Sequence, residues 1–132
     1  MPFSHEIFPE QRVIVSRYAG VFTFEELATA VTTLWATPGY LCEYRGIADL
    51  RDPSLKVAMS DFRALLNLLQ QHKDRSTSRW AGVTRSPFVT ACAMIYSHTQ
   101  REPHTFTVFN TWAAACTFIG VTLPQRFNDD LV

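Results

Sequence analysis

Asp49, Asp52 and Asp61 are the side chains whose type and spacing come nearest to acid–base chemistry, because two carboxylates can divide the roles of general acid and general base. Each also has a structural reading, and that reading is preferred. Asp49 ends a hydrophobic segment, and Asp52 stands beside Pro53, where turns are favoured. Asp61 falls in the first turn of an expected helix, where its charge meets the positive end of the dipole. A cysteine nucleophile would need an imidazole beside its thiolate. Cys92 and Cys116 lie on apolar stripes, where cysteine behaves as a small hydrophobe, and the charge of Glu43 disfavours a thiolate at Cys42. His5, His72, His98 and His104 show no short ligand spacing, so no metal site is read. The five glycines are isolated, which leaves no phosphate loop and no dinucleotide fingerprint. Nor is there a nucleophile elbow for serine chemistry. No catalytic residue, cofactor or metal ligand is assigned, and the expectation is a protein that is not an enzyme.

Charge narrows the partners. Lys+Arg and Asp+Glu both number 12 in 132 residues, which argues against nucleic acid, whose phosphates need a basic excess. Lys73, Arg75, Arg79 and Arg85 make the one local basic cluster. It reads as a solvated loop, with an anionic membrane surface as the weaker alternative. No run approaches the roughly 20 apolar residues of a membrane span, and the N-terminus has no signal-peptide pattern. The expected location is the cytoplasm. At 47% hydrophobic and 13% aromatic residues, the chain can bury a core, and its length fits a single domain over 1–132, with 121–132 as a C-terminal tail.

The elements that would position these groups follow from periodicity. Ile7 and Phe8, stopped by Pro9, suit an edge strand. Arg12–Ala19 reads as a strand closed by Gly20, with Val13 and Val15 on one face and Ile14 and Tyr18 on the other. Thr23 and Glu26 have capping-box spacing before a helix over Thr23–Ala36, whose stripe is Phe24, Leu27, Ala28, Val31, Leu34 and Trp35. Arg45–Leu50 is a buried strand, followed by a charged turn at Arg51-Asp52-Pro53. Ser60 is placed to cap a second helix carrying Phe62, Leu65, Leu66 and Leu69. Arg79–Thr84 is the next strand. Ser86-Pro87 starts a third helix that is expected to bury Phe88, Ala91, Cys92 and Ile95. Thr105–Phe109 alternates as a strand, and a last helix with Trp112, Ala115, Cys116 and Ile119 ends at Gly120. The order β-β-α-β-α-β-α-β-α implies an α/β fold with a mostly parallel sheet and an antiparallel first pair.

Four segments in this order resemble the SpoIIAA-like family, within the wider STAS fold (sulfate transporter and anti-sigma factor antagonist). They are RVIVSRYAGVFTFEEL (Arg12–Leu27), IADLR (Ile47–Arg51), WAGVTRSPFVTACAMIYSH (Trp80–His98) and FTVFNTWAAACTFIG (Phe106–Gly120). The resemblance implies a mixed sheet of about five strands with about four helices packed largely on one side. It also implies a non-enzymatic regulator or binder of apolar or lipid-like ligands, often dimeric, so a homodimer is expected. In the antagonists a serine at the start of the helix after the Asp-Leu strand is phosphorylated, and Ser60 holds that place. The sequence Ala58-Met59-Ser60-Asp61-Phe62 departs from their Asp-Ser-Ser-Gly pattern. Asp61 would also repel an added phosphate, so a capping role for Ser60 is preferred to a phospho-switch.

The reading is a STAS-like module that binds a small apolar or lipid-like ligand, in a pocket between the sheet and the helix after Thr23 or the helix after Pro87. Arg51, Asp52, Met59 and Trp80 are the candidate ligand-binding residues, the first three from the loop Arg51–Met59 and the last as a tryptophan that can wall an apolar pocket. The alternative is a protein-interaction switch of the antagonist type, working through that loop and Ser60 as its regulatory phosphorylation candidate.

Overall fold

The computed structural model describes residues 2–56, 58–71, 77–99 and 105–123. Within them the chain runs β1 (Phe3–Phe8), β2 (Val13–Phe22), α1 (Phe24–Ala36), β3 (Arg45–Leu55), α2 (Met59–Gln71), β4 (Arg79–Thr84), α3 (Pro87–Thr99), β5 (Thr105–Phe109) and α4 (Trp112–Ile119). The strands form one sheet in the order β1-β2-β3-β4-β5. β1 is antiparallel to β2, and the later neighbours are parallel. This is the mixed α/β architecture that the order of elements implies.

The strand order accounts for the layers. From β2 to β5 the sheet advances in one direction, and right-handed crossovers then deliver every connecting helix to the same face. That face carries Ile14, Ala48 and Trp80 under Leu34 of α1, and Cys92 of α3 meets Phe62 and Leu65 of α2 above it. α4 follows the last strand, has no crossover to make, and covers the other face. There Trp112, Ala115 and Ile119 pack on Val13, Val15, Ile47, Ala81 and Val83. The alternation expected in β2 is therefore real, with its odd and even residues feeding two separate cores. Leu123, in the expected tail, packs against the α4 side, whereas Phe127 and Leu131 lie outside the described residues.

Helix ends follow local chemistry. Thr23 caps α1 with a full capping box: the Glu26 N–H donates to Thr23 Oγ1 at 3.3 Å, and the Thr23 N–H donates to Glu26 Oε1 at 3.1 Å. Thr111 caps α4, which ends on Gly120 at φ 81°.

Local expectations are corrected at three places. Arg51-Asp52-Pro53 is not a turn, because β3 continues to Leu55 and pairs with β2 beyond Gly20. Gly20, at φ 85°, bends β2 rather than closing it. Proline is tolerated there because β4 stops at Thr84, opposite Leu50, so Pro53 pairs on one side only. Second, the α2 ladder already accepts the Phe62 N–H at the Ala58 carbonyl, 3.0 Å away, so Ser60 lies inside the first turn and is not the cap. Third, α3 buries Val89, Cys92 and Ala93, while Phe88, Ala91 and Ile95 face outward. This helix is apolar nearly all round, so periodicity could not fix its phase.

Candidate functional site

Between the sheet and α1–α3 lies a cavity of about 190 Å³. Its floor is the sheet: Tyr18 of β2, Ala48, Leu50 and Leu55 of β3, Trp80 of β4 and Phe106 of β5. The walls are Leu27, Val31, Leu34 and Trp35 of α1, with Tyr40 just beyond it. α2 adds Phe62, Leu65, Leu66 and Leu69, and α3 adds Val89, Cys92, Ala93 and Tyr96. Among the described residues no charged side chain takes part. Small residues leave the space open: Ala48 in the floor and Cys92 and Ala93 in the wall stand where larger side chains would fill it. A β-bulge also shapes the floor. Arg17 pairs with Asp49 but Ala19 with Asp52, so β3 carries one extra residue, and both Leu50 and Leu55 reach the cavity.

The floor has a repeated device. The Trp80 indole lies over Gly46 of the neighbouring strand, and the Phe106 ring lies over Gly82, so that a Cβ at either glycine would collide with the ring. Each glycine is thus a seat for the aromatic residue of the next strand.

Polar groups at the cavity are few. Tyr18 is pushed up to about 12 by burial, against its side-chain hydrogen bond with Ser16. Tyr96 is raised by burial first, then by the neighbouring phenols of Tyr18 and Tyr40. These phenols stay protonated. Burial likewise raises the Cys92 thiol, which disfavours its thiolate. Trp80 is 6% exposed, and its Nε1–H has no hydrogen-bond partner among the described residues. An unmet buried donor costs about 1–3 kcal/mol.

Behind Tyr18, His5 ties the edge strand to α1. Nε2 lies 2.9 Å from the Ala30 carbonyl and Nδ1 2.8 Å from Ser16 Oγ. The carbonyl needs a donor, so Nε2 carries the proton and Nδ1 of the neutral ring accepts from the Ser16 hydroxyl. Burial lowers the His5 pKa, and the Ala30 hydrogen bond opposes that shift.

The opposite face carries the principal buried ion pair. Arg51 Nε donates to Asp49 Oδ1 at 2.9 Å and Arg51 Nη2 to Oδ2 at 3.0 Å; Arg17 Nε reaches Oδ2 at 3.3 Å. The Arg51 guanidinium lies 5.3 Å from the centre of the Trp112 ring. Burial pushes the Asp49 carboxyl up, but the hydrogen bonds and charge of Arg51, with the charge of Arg17, hold it below its ordinary value.

The candidate residues therefore separate. Trp80 lines the cavity. Arg51 lies on the other face in its pair with Asp49, and Asp52 is exposed. Ser60 is exposed in the first turn of α2, and the Met59 side chain lies outside what the structure describes. Of the basic cluster, Arg79 stacks its guanidinium 5.3 Å from the Phe118 ring centre, Arg85 is exposed, and Lys73 and Arg75 lie outside the described residues. Among the described residues no group of three or more His, Cys, Asp or Glu could hold a metal, and no helix is long and apolar enough to cross a membrane. Most of the cavity's lining carries no local signature. Its aliphatic residues read as ordinary core, although the stripes of α1 and α2 named many of them.

No protein-family model and no curated protein matches this chain. A solved structure does: an uncharacterised protein of the DUF3478 family with a SpoIIAA-like fold, from Shewanella loihica PV-4. It is 14% identical, the match covers 89% of this chain and 93% of that one, and the TM-score is 0.59. At that identity the likeness is one of fold, and the fold of this chain is SpoIIAA-like.

Proposed function

We propose that this protein is a non-enzymatic STAS-like module that takes a small apolar or lipid-like ligand into the cavity between the sheet and α1–α3. The observation that carries this reading is the cavity itself, about 190 Å³ and walled by apolar side chains of the sheet and three helices. An apolar cavity of about 150 Å³ stays dry and takes up benzene, so this one has room for a ring with a short substituent. Burying such a molecule contributes roughly 25 cal/mol per Å² of apolar surface removed from water. The absence of charge from the described lining selects against ionic ligands, whose desolvation would be uncompensated. Native mass spectrometry of freshly purified protein, followed by solvent extraction, tests the proposal. A bound apolar molecule is expected, or uptake of an added one; a protein that arrives empty and binds no apolar probe contradicts it.

A second copy of the chain is the partner this reading favours. Phe88, Met94 and Ile95 of α3 are 47%, 48% and 38% exposed, and the chain is formally neutral, which favours self-association. Ile95→Lys is expected to convert a dimer to monomer in sedimentation equilibrium, and a monomeric wild type would end this part. The protein-switch alternative keeps the exposure of Ser60 in its favour. It requires Ser60→Asp to change the partners captured by the protein.

A further inference from the structure

The two edges of the sheet are not alike. β1 carries Glu6 and runs into Pro9, and charge and proline are ordinary guards of an edge strand. β5 reads Thr105-Phe106-Thr107-Val108-Phe109. It has no charge, no proline and no register shift, and among the described residues it pairs with β4 alone. Threonine, phenylalanine and valine favour strands, so β5 is a template for a further strand.

The register says which backbone groups face outward. The Thr105 N–H donates inward to the Ser78 carbonyl at 3.3 Å. Direction alternates along a strand, so Thr107 and Phe109 also face β4, while Phe106 and Val108 turn their N–H and C=O to the outer edge. No hydrogen bond to another described residue takes up those outward groups. Beside them runs a groove between β5 and the Thr90, Met94 and Ser97 row of α3. Arg85 follows β4 and His98 lies near the end of α3, so these two lining residues fall at opposite ends of the groove. The stretch between them is uncharged among the described residues.

We propose, resting on the second-copy reading above, that two copies join edge to edge through β5, antiparallel about a two-fold axis at Thr107, so that their sheets run on as one. Phe106 then stands opposite Val108 of the partner subunit, and each outward N–H meets an outward C=O. A slip of one residue loses every such bond, and a slip of two shortens the overlap. Phe106 and Val108 share the cavity side of the strand, which makes an aromatic–β-branched pair across the junction. Thr107 meets its own copy on the other side, and both pairings are favourable. No like charges are opposed, because β5 has none. The two α3 helices come side by side on one face, with Met94, 48% exposed in the single chain, between them.

Sedimentation equilibrium compares the wild-type protein with Val108→Pro. Proline removes an outward N–H at that position, so the pairing of β5 with β4 is retained. A wild-type dimer is expected, with a dissociation constant raised about tenfold or more in Val108→Pro. A second measurement reads the register directly. Thr107→Cys and Thr105→Cys, each in a Cys42→Ser background, are oxidised with copper phenanthroline. Thr107→Cys is expected to form a disulfide-linked dimer, because residues facing each other across an antiparallel pair lie within the Cα separation that a disulfide spans. Thr105→Cys faces the partner's Phe109 and is expected to stay unlinked. If Val108→Pro does not fold, the crosslinking pair decides alone. A dimeric protein in which Thr107→Cys does not crosslink, or a folded Val108→Pro that dimerises as tightly as wild type, overturns the β5 junction and leaves the second-copy reading standing. A monomeric wild type overturns both, and leaves the groove to an extended peptide instead.

Discussion

Asp49 and Arg51 illustrate how a residue chosen for one role serves another. Arg51 opens the segment the sequence marks as a working loop, yet its guanidinium neutralises a buried carboxylate on the face away from the cavity. Removing one partner of a buried pair is costly because the other charge is left behind. Arg51→Met is expected to cost about 3–5 kcal/mol in urea denaturation, and the double variant Asp49→Leu/Arg51→Met distinctly less. The pair's contribution is fully present above the unfolded-state aspartate value of 3.8 and is lost as pH falls through the lower folded value. His5 acts in a higher window. Its folded pKa lies below 6.5 because burial disfavours the imidazolium, so the unfolded chain takes up its proton first as pH falls. Stability should therefore decline as pH drops below about 6.5, and His5→Gln should flatten that part of the profile when urea midpoints are compared across pH 5–8.

At the scale of elements, the strands and helices were legible wherever one local rule had no competitor. The Thr23 capping box, the Ser86-Pro87 start and the Gly120 stop agree with the observed ends of α1, α3 and α4. The reading failed where tertiary context supplied what local rules forbid. Pro53 looked like a breaker, but β4 ends before reaching it, and an edge-like position spares its missing N–H. α3 gave no phase because most of its residues are apolar. The glycine seats were also hidden, since nothing adjacent in sequence reveals that Gly46 meets Trp80 or Gly82 meets Phe106. Gly46→Ala drives a methyl group into the indole, and overpacking of this kind costs about 1–3 kcal/mol. The expected result is a lowered urea midpoint that is partly restored when Trp80 is also reduced to Leu, because the two positions share one volume.

Across the whole molecule, one-directional strand order places three helices on one face and leaves α4 to cover the other. The fold class was legible from the order of elements, because right-handed crossovers leave few alternatives. Of the candidate site residues, Trp80 meets the cavity and Arg51 does not. The reason is geometric: the cavity lies above one face of the sheet and under the helices, whereas Arg51, expected in a loop, lies within β3 with its side chain on the other face. Void space depends on what distant residues fail to fill, and Ala48 is far in sequence from Cys92 and Ala93.

Ligand uptake depends on that void, and filling it removes the space. Ala93, buried in the α3 wall, is replaced by Phe, and urea unfolding is followed with and without saturating α-methylstyrene. A ligand present at about 100 times its dissociation constant stabilises the native state by roughly 2.7 kcal/mol. A shift of about that size is expected in the wild-type protein and little or none in Ala93→Phe. A wild-type midpoint unmoved by the ligand, or an equal shift in both proteins, would contradict it.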